Sequence, residues 1–227
     1  MKFSVFATLT ALAVAQPASA AIYQVTVTGK VASGFDQKGL FGAPNTDLTG
    51  AAFSLVEYFD TETGQINMHG YGVFGGTGST GPSPGYGSLT INGLPIGLTG
   101  EYLAYMFAPS SYNPAQVYLL HYDHVGDEEI LHDVLARLYG LPPAPPLLTL
   151  PEWHSDCQGA EICNGYFEFE GYTGYTANWR TNGIFAGESY DARVISGGVP
   201  EPATWAMMIV GFGLVGSALR RRIVATA

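Results

Sequence analysis

The chain has 227 residues, among them 30 glycines, 14 tyrosines and 12 phenylalanines, while charged residues make up only 12%. That is about half the usual share, so Ser, Thr, Asn, Gly and tyrosine hydroxyls must finish the surface, as in many secreted β proteins. Residues 21–199 carry five basic side chains (Lys30, Lys38, Arg137, Arg180 and Arg193) against eighteen acidic ones, a net charge of −13; such a domain repels phosphate backbones and anionic headgroups, which excludes nucleic-acid binding as a main role.

Residues 1–20, MKFSVFATLTALAVAQPASA, combine Lys2, an apolar run from Phe3 to Ala15 and the small-residue step Ala18-Ser19-Ala20. This is the pattern of a secretory signal peptide, with the secretion machinery and signal peptidase as its partners; the run is short for a membrane span. An exported domain is expected over 21–198, a length that suits one domain with a sizeable core.

Ile22 to Val31, IYQVTVTGKV, alternates and is rich in β-branched residues, which predicts a strand. Further strands are expected over Ala51 to Phe59, Gly87 to Gly93, Glu101 to Ala108, Ala115 to Asp123, Gly165 to Tyr172 and Ser189 to Ser196. Turn signals such as TETGQ, NGLP, PSSYNP and TGYTAN punctuate them about every ten residues, the rhythm of an all-β sandwich or jelly-roll-like domain. The glycine-dense stretch from Gly70 to Gly87 lacks a Gly-Lys-Ser/Thr ending and a following helix pattern, so it reads as a flexible loop between strands.

One segment departs from that rhythm. In Gly126 to Gly140, GDEEILHDVLARLYG, the residues Ile130, Leu131, Val134, Leu135 and Leu138 recur at helical spacing, Asp127 is a candidate N-cap and Gly140 a candidate stop. With acids in the first turn and Arg137 in the last, one amphipathic helix packed on the sheet is expected. The proline-rich LPPAPPLLTLP that follows reads as a stiff connection.

The same region holds the richest polar cluster: His121, Asp123, His124, Asp127, Glu128, Glu129, His132 and Asp133. On a helix Glu129 and His132 would share a face, and His121 or His124 could join them from the preceding strand as metal ligands. An acid-enriched helix start with solvated histidines explains the cluster more economically, so no metal or other cofactor is expected. DTETG, from Asp60, spaces oxygens loosely like a calcium loop, but Tyr71 stands where an EF-hand needs its bidentate carboxylate, and a turn is the better reading.

No G-x-S-x-G and no H-E-x-x-H occurs. Glu168 and Glu170 could suit glycoside chemistry, but they also form the outward half of a strand whose inward half is Phe167 and Phe169. A non-enzymatic protein is expected. Trp153, Trp179 and the tyrosines offer either a sugar-stacking platform, which would bind exopolysaccharide, or ordinary packing. Cys157 and Cys163 stand six positions apart in a chain bound for an oxidising compartment, so a local disulfide is expected.

The chain closes on VPEPATWAMMIVGFGLVGSALRRRIVATA. Ala203 to Leu219 is uncharged and, as a helix of about 25 Å, makes a minimal transmembrane span against a core of about 30 Å. Arg220, Arg221 and Arg222 stop translocation, leaving residues 223–227 as a cytoplasmic tail and the domain outside. Pro200-Glu201-Pro202, then Trp205-Ala206, the glycine-rich apolar helix and the arginine cluster together resemble the PEP-CTERM sorting signal over 199–222, in its PEPxxWA form. The resemblance implies an exosortase as processing partner, an inner-membrane intermediate, and delivery to the outer surface or exopolysaccharide matrix of a Gram-negative bacterium. It implies recognition at Pro200, Glu201, Pro202, Trp205 and Ala206, where two prolines hold the segment extended above the membrane.

Overall fold

In the computed structural model, the described residues are 21–66, 72–79, 81–107, 114–125, 127–139, 153–157 and 163–197. The expected signal peptide, the proline-rich connection, the expected transmembrane helix 203–219, the sorting motif and Arg220 to Arg222 lie outside them.

The described residues form strands β1 (Ala21–Asp36), β2 (Thr46–Asp47), β3 (Ala52–Asp60), β4 (Gln65–Ile66), β5 (Gly72–Gly75), β6 (Gly85–Ile91) and β7 (Leu94–Thr99). They continue with β8 (Leu103–Phe107), β9 (Ala115–Val125), β10 (Glu128–Leu138), β11 (Trp153–Ser155), β12 (Cys163–Thr173) and β13 (Thr176–Gly197). The all-β expectation holds, with one sheet in place of two packed ones. Its order is β4-β5-β8-β9-β10-β12-β13-β1-β3-β6-β7, with β11 beside β13 and β2 beside β1. All the pairings are antiparallel, and the sheet curls until its two arms meet. Gly85 of β6 lies so close to Leu119 of β9 that an added Cβ would come within 2.7 Å of it.

The expected helix over 126–140 is absent, and β10 occupies its place. Val125 pairs with Glu128, so β9 and β10 are antiparallel neighbours separated by two positions in the sequence; a Gly-Asp dipeptide is a hairpin signal in sequence. The apolar residues that mimic a helical stripe divide between two faces of the strand: Ile130, Val134 and Leu138 point into the core cluster, while Leu131 and Leu135 take the other side. Asn92 (φ 53°) and Gly93 (φ 79°) are both left-handed, the type I′ geometry their sequence favours, and they join β6 to β7.

Alternation along each strand sends one side chain in two into the space that the sheet encloses. Val25, Val27 and Val31 from β1 meet Phe53, Leu55 and Phe59 from β3, Leu89 and Ile91 from β6, and Phe167, Phe169 and Phe185 from β12 and β13. Phe53 stacks on Phe185 at 4.3 Å, and Phe41 meets Phe167 and Phe169 edge-on at 5.8 Å. Each such ring contributes about 1.5 to 3 kcal/mol by leaving water. The loop that brings Phe41 inward is held by buried Asp36, whose carboxylate accepts from the backbone N–H groups of Gly39, Leu40 and Phe41 and from the Thr181 hydroxyl. Two opposite ends of the domain sequence pair directly: β1 runs along β13 from Ala21 opposite Gly197 to Asp36 opposite Thr181.

Candidate functional site

The residues of the sequence cluster separate once β10 is a strand. Glu129 and His132, three apart, fall on opposite faces, so the shared face on which a metal reading depended does not exist. His132 turns inward against Phe169, with ring centroids 5.2 Å apart, and lies across from His121. Glu128 accepts a hydrogen bond from the Trp179 indole at 2.8 Å. The side chains of Asp123 and His124 are outside the described set. Among the described residues no group of three His, Cys, Asp or Glu side chains is arranged to hold a metal ion.

His121 and Glu129 line one cleft, in a different company. A cleft of about 570 Å³ is lined by Thr77, Glu101, Tyr102, His121, Tyr122 and Glu129. Glu101 and Tyr102 come from the segment entering β8, His121 and Tyr122 from β9, Glu129 from β10, and Thr77 from the turn after β5. His121 Nδ1 stands 3.7 Å from a Glu101 carboxylate oxygen. Tyr102 and Tyr122 meet edge to face, centroids 4.9 Å apart and planes at 82°. Burial, then Tyr102 and Glu129, push the Tyr122 phenol above its usual range.

The glycine-rich stretch builds this cleft and is a less flexible loop than its composition suggests. Within it β5 pairs with β8, and the following turn grips the β8 entry: Thr77 N–H donates to the Glu101 carbonyl and Gly78 N–H to the Tyr102 carbonyl, both at 2.8 Å. The Thr77 hydroxyl donates to the same Glu101 carbonyl at 3.2 Å. Gly76 (φ 133°) packs so tightly that a Cβ there would sit 2.3 Å from the Tyr102 oxygen. Nothing larger than glycine fits.

A second polar group lies on the outer face of β10, β12 and β13. Arg180 bridges Glu168, at 2.5 Å, and Glu170, which also accepts from the Tyr172 hydroxyl. Glu168 is an outward residue as expected, but Glu170 is buried beneath these partners. Burial and the neighbouring Glu170 raise the Glu168 carboxyl. Burial also raises Asp133, while hydrogen bonds from Tyr118 and Tyr166 pull it back; burial and then Asp133 push the Tyr166 phenol up to about 12. Ion pairing thus occupies the two glutamates that sequence alone offered as a catalytic pair.

The two tryptophans lie on different strands, and the Trp153 side chain is outside the described set. Trp179 is 8% exposed, with Lys38 Nζ 5.2 Å above its ring, and Trp153 sits on β11, far along the sheet register opposite Ala192. Cys157 and Cys163 are joined in a disulfide with Cα atoms 5.5 Å apart, tying the end of β11 to the start of β12. Sequence reasoning missed Thr77, Glu101, Tyr102 and Tyr122, which come from separate segments and form no linear motif.

Comparison with known families finds one match, the family described as PEP-CTERM protein-sorting motif, at residues 198–222. The chain carries a PEP-CTERM motif. It implies exosortase-dependent sorting to the cell envelope or surface, and exosortase as a processing partner. The PEP-CTERM match begins one residue beyond Gly197, where β13 ends. Nothing among curated proteins or solved structures matches the chain.

Proposed function

We propose that this is a non-enzymatic protein of a Gram-negative bacterium, exported, held briefly in the inner membrane by its C-terminal helix, and released or attached by an exosortase at the outer surface or in the extracellular matrix. There the β domain serves a structural or adhesive role. The PEP-CTERM motif at 198–222 carries this reading. A disulfide and a low-charge, tyrosine-rich surface support it, because both suit life outside the cell. Cell fractionation with a Glu201→Ala variant tests it: the variant is expected to stay uncleaved and membrane-bound, and wild-type mass and location for the variant would reject the sorting step.

Carbohydrate binding is the second reading, and the paired tyrosines of the cleft favour it. Aromatic faces stack on the apolar faces of sugars, and carboxylates accept from sugar hydroxyls or amines. This moves the expected platform from Trp153 and Trp179 to Tyr102 and Tyr122.

A further inference from the structure

The cleft over β8, β9 and β10 has walls of a restricted chemistry. It offers two carboxylates, two phenols, one imidazole and one hydroxyl, and no lysine or arginine lines it. We infer that it binds the protonated amino group of an amino sugar within a cationic polysaccharide. The inference deepens the adhesive and carbohydrate-binding reading and rests on it.

Three observations select that ligand. Electrostatics come first: the domain bears a net charge of −13, and Glu101, its side chain 68% exposed, lines the cleft together with Glu129. Two like charges around one cleft repel each other, and a cation between them relieves the repulsion, which a neutral or acidic sugar does not. Ring geometry is second. Tyr102 and Tyr122, held at 82°, form a corner, and an ammonium at a corner meets an electron-rich ring face while the sugar ring behind it stacks on Tyr102, which is 41% exposed. Rigidity is third. The Thr77 and Gly78 hydrogen bonds hold the backbone at Glu101 and Tyr102 before any ligand arrives, and Gly78 lies directly against the Tyr102 ring, so the main chain and that ring need little further ordering on binding. A bare metal ion suits the cleft poorly, since its described side chains supply no three-ligand set.

Titration calorimetry on the purified exported protein tests the inference with two probes, a fully deacetylated chitosan hexamer and its fully N-acetylated counterpart, under conditions that keep the free amines protonated. The deacetylated hexamer is expected to bind at least about tenfold more tightly, with affinity falling as salt rises. Glu101→Gln and Glu129→Gln should each weaken it at least about fivefold, and Tyr102→Ala likewise, whereas Tyr102→Phe keeps the ring and the binding. Equal affinity for the two probes, indifference to both glutamine substitutions, or no binding by either probe overturns the proposal. Sorting is read separately: loss of binding with intact processing rejects this inference alone, and failed processing in the Glu201→Ala variant leaves it standing.

Discussion

Glu57 is the residue most at odds with its surroundings. In AFSLVEYFD the alternation that sends Phe53, Leu55 and Phe59 inward sends Glu57 with them, and it is fully buried with neither carboxylate oxygen hydrogen-bonded. Burial lifts its pKa well above the ordinary 4.5, and nearby Tyr190, also buried, is raised for the same reason with Glu57 adding to it. The folded protein therefore keeps a proton that the unfolded chain releases. The Glu57 contribution to stability is fully present below about pH 4.5 and is lost as pH climbs from there through the folded value. Glu57→Leu is expected to raise stability at neutral pH by at least about 1 kcal/mol and to flatten that decline, as urea unfolding at several pH values would show. The inward position of Glu57 was legible from period two, but its chemistry argued against it. Glu170 escaped for the opposite reason: alternation placed it outward, and only Arg180 and Tyr172, reaching over from neighbouring positions, bury it.

Among the elements, β10 shows why periodicity misled. Ile130, Leu131, Val134, Leu135 and Leu138 satisfy a helical stripe, but a strand with apolar groups on both faces produces the same letters. The deciding signal was the Gly126-Asp127 dipeptide, which lies before the stripe and outside its period. The long β1–β13 pair makes the reverse point, since its local demands are visible in single residues. At Gly29 the register shifts, and a Cβ would lie 2.2 Å from the carbonyl oxygen of Ala186 on the partner strand. That contact is with backbone, which cannot swing aside. Gly29→Ala should cost about 1 to 3 kcal/mol, measured as a lowered denaturation midpoint with unchanged slope. The C-terminal sorting motif was legible because a processing enzyme reads it as linear sequence. The cleft was not, because its six residues converge only after β5, β8, β9 and β10 pair.

At the scale of the whole molecule, stability resides in the continuous ladder and its enclosed aromatic core, and the disulfide adds a local tie. Its loop spans six positions, so closing it contributes only about 2 kcal/mol or less. Reduction should lower the melting temperature modestly while leaving the far-ultraviolet dichroism of the folded sheet intact at room temperature. The pairing of Ala21 with Gly197 has a consequence in time. Chain that leaves a cell as an unfolded thread delivers β1 first and β13 last, yet each is the other's neighbour at the centre of the sheet. The two arms, β3-β6-β7 on one side and β4 to β12 on the other, have no shared strand pair until the final segment emerges. For a chain exported in that way, closure of the sheet waits on the completion of export, and long-range closure of this kind is slow. A stretch of chain that pauses just after Gly197, as a membrane-held C-terminal segment would, gives the sheet the interval it needs to close before anything cuts it free.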